Sequence, residues 1–196
     1  MANPLYDTLF GAHAGKDTPF LHLPDGSTLT HADFLVLAAR YAHALTEAGV
    51  SVGDRIALQV QKSPQALAIY AACVQAGIIF LPLNSAYTAS EVSYFVTDSG
   101  ARLLICDGGD ADALDPIATG AGARLLTLNA DGSGSFTERA AAQPDTVDTV
   151  SRDGDDLAAF LYTSGTTGRS KGAMMTQTNL LSNAQTLVDY WQFNSA

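Results

Sequence analysis

The residues best suited to chemistry lie in one run, from Tyr162 to Gly172, which reads Tyr-Thr-Ser-Gly-Thr-Thr-Gly-Arg-Ser-Lys-Gly. Its glycines allow backbone N–H groups to approach an oxygen closely and to adopt positive φ angles. Successive N–H groups in such a turn form an anion-binding concavity. The Ser and Thr hydroxyls add neutral donors, and Lys171 adds a point charge suited to phosphate oxygens. The run is therefore predicted to bind the phosphates of a nucleotide.

Two other interpretations of this run are weaker. In the Walker phosphate loop a Lys follows the second Gly directly, whereas here Arg169 and Ser170 stand between Gly168 and Lys171. Because no partner motif is present either, a phosphotransferase is the weakest enzyme interpretation. A Gly/Ser/Thr surface linker has a similar composition. A linker does not need a strand on each side, however, and apolar runs flank this segment.

Composition restricts the classes of partner. The 196 residues carry a net charge of −10, so their mean field repels nucleic acid and an anionic membrane face. No apolar stretch approaches the ~20 residues that span a bilayer, and the first residues lack the pattern of a secretory signal. Cys73 and Cys106 sit in apolar runs and read as buried thiols of a reducing compartment. The histidines lack metal-ligand spacing. We expect a cytoplasmic protein that binds neither nucleic acid nor membrane.

Strands and helices are predicted to alternate along the chain. The predicted strands are a hairpin within 21–29 and the segments 55–60, 78–81, 102–106, 124–128, 157–163 and 172–175. The predicted helices are 30–49, 63–76, 88–98, 115–120, 136–142 and 176–190, several with Ser or Thr caps and Gly ends. This order is typical of an α/β fold with a mostly parallel sheet covered by helices. Ligands of such folds bind outside the carboxyl ends of the strands, where the glycine-rich run begins.

The run also resembles the signature loop of the adenylate-forming (AMP-binding) superfamily, whose pattern is approximately [YF]-T-S-G-[ST]-T-G-x-P-K-G. Only Ser170, where many members carry Pro, departs from it. The superfamily includes acyl-CoA synthetases, luciferases and peptide-synthetase adenylation domains, and the resemblance extends over nearly the whole chain. Residues 81–88, 161–174 and 187–191 look most like malonyl-CoA synthetases.

The resemblance implies a two-step reaction. ATP and a carboxylate, malonate or another short acid, give an acyl-adenylate and pyrophosphate, and coenzyme A then displaces AMP. By resemblance, the run encloses the β- and γ-phosphates, Lys171 pairs with them, and Thr163 helps to position Mg²⁺. The expected catalytic residues are Thr163 and Lys171. The expected nucleotide-binding residues are Thr163, Ser164, Gly165, Thr166, Thr167, Gly168 and Lys171.

Two departures from the family limit this expectation. Gln177 stands where many relatives carry a His, and a Gln side chain can hydrogen bond but cannot titrate. Full-length relatives also continue for several hundred residues. Residues 1–196 are therefore expected to be the N-terminal segment of an adenylation domain, inactive alone, with the remainder of its own chain as packing partner. The alternative is a free-standing, non-catalytic module that binds a nucleotide or a partner.

Overall fold

The computed structural model describes residues 2–163 and 170–193, which fold around one six-stranded sheet and a small hairpin. The strands are β1 (Pro19–His22), β2 (Thr28–Thr30), β3 (Arg55–Gln59), β4 (Ile79–Pro82), β5 (Leu103–Cys106), β6 (Arg124–Thr127), β7 (Leu157–Thr163) and β8 (Lys171–Thr176). The helices are α1 (Pro4–Leu9), α2 (His31–Glu47), α3 (Pro64–Ala76), α4 (Ala89–Ser99), α5 (Ala111–Gly120), α6 (Ser135–Ala140) and α7 (Gln177–Trp191), with 3₁₀ turns at Gly11–His13 and Gly108–Asp110.

The large sheet has the strand order β6-β5-β3-β4-β7-β8. Strands β3 to β7 pair in parallel, with Ile56 opposite both Phe80 of β4 and Leu103 of β5. Strand β8 pairs antiparallel with β7 and forms the edge of the sheet. The prediction of a mostly parallel sheet is confirmed, and its carboxyl ends lie along one side of the molecule.

Local sequence signals explain where the helices begin and end. The Ser63 side chain caps α3 by accepting from the backbone N–H of Ala66, and Pro64 occupies its first turn. Gly77 ends the same helix with φ 67°, a left-handed conformation that favours glycine. At α4, Thr88 and Glu91 form a complete capping box.

The two faces of the sheet are buried against different helices. One apolar cluster contains residues of α1, α2 and α3, among them Leu5, Phe34 and Ile69. The other contains residues of α4 and α5, including Phe95 and Leu114. Helices on both faces explain why β5, buried at every position, reads as a continuous apolar run. Within residues 2–163 and 170–193, no helix has both the length and the hydropathy needed to cross a bilayer.

Two helices differ from the sequence-based prediction. Helix α1 is not predicted at all, although Asn3 caps it and Pro4 stands in its first turn. Helix α5 begins at Ala111, several residues before the predicted start at Asp115. Asp112 lies in its first turn, where negative charge complements the helix dipole.

Candidate functional site

The glycine-rich run is flanked by two stems. The outgoing stem is the end of β7, up to Thr163, and the returning stem is Ser170 with the start of β8. Thr163 is the last residue of β7 and Lys171 the first of β8, and the two are partners in the antiparallel register. Both are exposed, and Thr163 Oγ1 lies 3.5 Å from the Lys171 carbonyl oxygen. The other predicted binding residues lie outside the described residues: Ser164, Gly165, Thr166, Thr167 and Gly168. The structure therefore brings together the two predicted residues that flank the loop.

The stems leave the sheet at its carboxyl edge. Because β7 runs parallel to β4, Thr163 lies at the same edge as the end of β4. At the end of β3, the buried Gln59 amide donates to the carbonyls of Asn84 (3.1 Å) and Tyr87 (2.9 Å). Gln59 thereby fixes the loop that follows β4. The carboxyl ends of β3, β4 and β7, with the loop after β4, thus form a fixed base beside the stems.

Tyr162 and Gly172, one residue inside each stem, are also register partners. A Cβ atom at Gly172 would lie 3.3 Å from the Tyr162 ring, so a glycine allows the ring to lie directly over the backbone. The Tyr162 hydroxyl donates to Asp98 Oδ2 at 2.6 Å. Burial first, and then the Asp98 carboxylate, raise the pKa of Tyr162 well above its usual range. The phenol therefore stays protonated and remains a donor at physiological pH.

The returning stem has a similar contact. The Tyr94 hydroxyl of α4 donates to the carbonyl oxygen of Ser170 at 2.8 Å. Tyr94 also packs edge-on against Tyr162, with ring centroids 6.0 Å apart. Helix α4 thus touches the chain on both sides of the loop.

The charged groups described at the stems are the Lys171 ammonium group and the Asp98 carboxylate beside Tyr162. None of the four ion pairs found among the described residues involves Lys171. Within residues 2–163 and 170–193, its ammonium group thus has no carboxylate partner. The net charge of −10 opposes an anionic ligand only weakly here, because exposed charges beyond about 8–10 Å are largely screened at physiological salt.

The oxygen atoms at the stems suit Mg²⁺ only as a supplement to phosphate. Magnesium binds oxygen ligands, commonly substrate phosphates with one or two protein groups, and the exposed Thr163 hydroxyl is one such oxygen. Across residues 2–163 and 170–193, no three His, Cys, Asp or Glu side chains are placed to hold a metal together. The donor set fits a cation that arrives with a nucleotide.

An apolar groove of about 490 Å³ runs beside β7. Its walls come from α3, β4, β7 and α7, with Tyr70, Phe80, Leu161 and Leu180 among its lining residues, and Lys62 also lines it. Leu161, on the groove side of β7, is 37% exposed. Met174 is 63% exposed but lies on the opposite face of the sheet, because its register partner is Phe160.

Gln177 has a structural role that the sequence did not reveal. Its side chain is buried, and Oε1 accepts a hydrogen bond from the Leu5 backbone N–H of α1 at 3.1 Å. Asn3, also buried, donates to the carbonyls of Val74 (2.8 Å) and Val150 (3.2 Å). The Gln177 contact joins the first helix to the start of α7, and the Asn3 contacts join it to α3 and to the segment before β7. The pair Asn3-Pro4 is a cap followed by a first-turn proline, and it could have revealed α1.

Other titratable groups lie away from the stems. Burial raises the pKa of Cys106 to about 12, and the pKa of the buried Cys73 is also raised, so neither thiol suits a nucleophile. The rings of His13 and His31 stack with centroids 4.5 Å apart, and Lys16 Nζ lies 3.2 Å from His13 Nδ1. Burial, followed by the charges of His13 and Lys16, lowers the pKa of His31.

Comparison with known proteins identifies one matching family and several similar proteins. The family described as AMP-binding enzyme matches residues 11–195. A feruloyl-CoA synthase of Amycolatopsis sp is 39% identical over 158 residues, which cover 81% of this chain and 30% of the relative. The long-chain-fatty-acid–CoA ligase FadD13 of Mycobacterium tuberculosis is 32% identical over 156 residues, 80% of this chain and 31% of the relative.

Some solved structures have a higher sequence identity to this chain than these two relatives do. The crystal structure of ATP-bound MatB from Rhodopseudomonas palustris is 44% identical to this chain, with a TM-score of 0.94. The similarity covers 99% of this chain and 39% of MatB. The chain spans about a third of the length of the curated relatives that it matches.

Proposed function

The chain belongs to the AMP-binding enzyme family, and on this premise we propose that the protein is an ATP-dependent acid–CoA ligase. One observation carries the proposal: Thr163 and Lys171 face each other across the two strands that flank the glycine-rich run. In this proposal residues 1–196 are a segment of the adenylation domain, and residues 163–171 form its phosphate-binding loop.

The proposed first step joins the acid to the nucleotide. A carboxylate oxygen attacks the α-phosphate of ATP, and pyrophosphate leaves with the bonding electrons. Negative charge then grows on the leaving pyrophosphate, where a fixed cation stabilises the transition state more than the ground state. Lys171 supplies this charge, and the backbone N–H groups and hydroxyls of Ser164, Thr166 and Thr167 supply neutral donors.

Mg²⁺ bound to the phosphates would neutralise further charge on the leaving group. Thr163 is the residue that we assign to it, because its exposed hydroxyl ends β7 directly before the loop. In the second step the coenzyme A thiol displaces AMP from the acyl-adenylate and gives a thioester. ATP, Mg²⁺, the acid and coenzyme A are thus the proposed small-molecule partners.

For the acid we propose malonate or another short carboxylate. The support is the resemblance of residues 81–88, 161–174 and 187–191 to malonyl-CoA synthetases. Two of the curated relatives are named for other acids, as feruloyl-CoA synthase and long-chain-fatty-acid–CoA ligase. The choice among these acids therefore needs an assay.

The test is acid-dependent exchange of labelled pyrophosphate into ATP, followed by thioester formation with coenzyme A. It uses the natural polypeptide and a panel of malonate, acetate, ferulate and a long-chain fatty acid. Exchange with malonate or acetate supports the full proposal. Exchange with ferulate or the fatty acid alone keeps the ligase and corrects its substrate. ATP binding without exchange for any acid contradicts the ligase and favours a non-catalytic nucleotide-binding module.

A further inference from the structure

Helix α4 holds both stems of the glycine-rich loop through two hydroxyl groups. Asp98 accepts from Tyr162 on the outgoing stem, at 2.6 Å. Four residues earlier in α4, Tyr94 donates to the Ser170 carbonyl on the returning stem, at 2.8 Å. Residues four apart in a helix lie on the same face, so one helix face contacts both ends of the loop.

The helix is a fixed support, since both of its ends are secured. The capping box of Thr88 and Glu91 closes its first turn, and directly before it the Gln59 amide of β3 donates to the Tyr87 carbonyl (2.9 Å). At its other end the Arg55 guanidinium, from the start of β3, donates to the carbonyls of Ser99 (2.8 Å) and Gly100 (3.1 Å). A cation there satisfies carbonyls that the helix itself leaves free. Movement of α4 relative to the sheet is therefore opposed at both ends.

Aromatic packing brings the stems to the helix, but it does not set their distance. The rings of Phe95 and Tyr162 lie 4.6 Å apart, and Tyr87 packs on Phe95 at 4.9 Å. Aromatic pairs of this kind are favourable over a wide range of centroid distances, about 4.5–7 Å. Hydrogen bonds have a narrow range of distance and angle, so the two hydroxyls define where each stem sits.

We propose that Tyr94 and Asp98 are positioning residues that set the separation of the two stems and hence the fit of the loop to nucleotide phosphates. The inference rests on the proposed function and deepens it, because it assigns control of ATP binding to a helix outside the loop. Neither residue belongs to the signature run. Both act through Tyr162 and Ser170 on a loop whose donors must match phosphate oxygens closely.

The test replaces single hydroxyl and carboxylate groups in the natural polypeptide. Tyr94→Phe and Asp98→Ala each remove one hydrogen bond and keep the surrounding packing. We expect each to raise the KM for ATP about three- to tenfold, as the loss of one net hydrogen bond predicts. The KM for the acid should stay unchanged. Asp98→Asn, which keeps an acceptor for Tyr162, should restore most of the affinity.

Tyr87→Phe is the matched control. Tyr87 packs against the same Phe95, and its hydroxyl has no hydrogen bond to another described residue. This variant should leave the KM for ATP as it is. If Tyr94→Phe and Asp98→Ala lower only the active fraction, with kcat reduced and the KM for ATP unchanged, their role is merely structural and the inference is wrong.

A double-mutant cycle tests whether Asp98 acts through Tyr162. In a Tyr162→Phe background, Asp98→Ala should have little further effect, because the shared hydrogen bond is already lost. Full additivity of the two effects overturns the mechanism.

The inference can be separated from the proposed function. If no acid supports pyrophosphate exchange, the ligase proposal fails, and direct binding of a fluorescent ATP analogue to the same variants still tests the positioning role. A three- to tenfold weaker Kd for Tyr94→Phe and Asp98→Ala, with Tyr87→Phe unchanged, supports it. Equal affinities, or no ATP binding at all, overturn it.

Discussion

The side-chain oxygen of Gln177 accepts a hydrogen bond from the Leu5 backbone N–H, joining two residues that are 172 positions apart. Both residues are buried, so no solvent molecule is at hand to replace either partner. The contact links α1 to α7 directly after strand β8, and thus directly after the proposed phosphate site. A position at which many relatives carry a His is therefore used here to hold the N-terminal helix.

Gln177→Leu should destabilise the fold by about 1–3 kcal/mol, because it leaves the Leu5 N–H buried without an acceptor. Leu has a similar volume, so packing changes little. Urea unfolding followed by circular dichroism measures the effect. Gln185→Leu, at an exposed position of the same helix, is the control and should stay within about 0.5 kcal/mol of the parent protein. Equal stability of the two variants would show that the buried hydrogen bond contributes nothing.

Lys171→Ala should lower kcat/KM for pyrophosphate exchange roughly 10- to 100-fold, the range expected when a charged hydrogen-bond donor to a phosphate is lost. The lysine is exposed at the start of β8, so the fold should tolerate the change. Lys16→Ala, on the N-terminal segment, controls for the loss of one positive charge. An enzyme that kept its ATP affinity and its turnover without Lys171 would refute the phosphate assignment for this residue.

His31 should titrate below the usual range of histidine, since burial and the charges of His13 and Lys16 lower its pKa. Its folded pKa then lies below the unfolded value of about 6.5, so the unfolded chain binds more protons near that pH. The stability that His31 contributes is complete above pH ~6.5 and is lost as the pH falls further. NMR titration of the imidazole protons measures the midpoint. Lys16→Gln should raise this midpoint, and an unchanged midpoint would exclude an influence of the Lys16 charge.

Neither thiol should react with iodoacetamide at pH 8 in the folded protein. Both Cys73 and Cys106 are fully buried, and with a pKa of about 12 only about one Cys106 in ten thousand is a thiolate at that pH. In urea both should be alkylated, which intact mass spectrometry counts directly. Rapid labelling without denaturant would contradict the burial of the thiols.

Much of the fold follows from local signals in the sequence. Ser63-Pro64 and Gly77 mark the two ends of α3, and Thr88 with Glu91 marks the start of α4. Each of these signals acts within one helical turn, so a single sequence displays it fully. The order of the strands does not follow in this way. That β3 lies between β4 and β5 depends on how the helices pack on the two faces, which is a property of the whole chain.

In the candidate site, too, the local features follow from the sequence and the long-range contacts do not. The glycine-rich run can be recognised from the sequence, because the residues that suggest phosphate binding are consecutive, within 162–172. The contacts of Tyr94 with Ser170 and of Asp98 with Tyr162 span 76 and 64 positions. The sequence near α4 contains no motif that would predict either contact. The use of Gln177 as an acceptor for Leu5 was equally hidden, because its partner is a backbone N–H that carries no sequence signature.

The attachment of α1 to distant parts of the chain has a consequence during protein synthesis. Leu5 leaves the ribosome before its partner Gln177, which is made 172 residues later. At roughly 5–20 residues per second, the interval is roughly 10–35 s. Phe10 can pack on Phe34 and Tyr70 early, but the face of α1 that contacts α7 stays uncovered throughout this time. The first helix of this chain is therefore fully attached only after the start of α7 has been made.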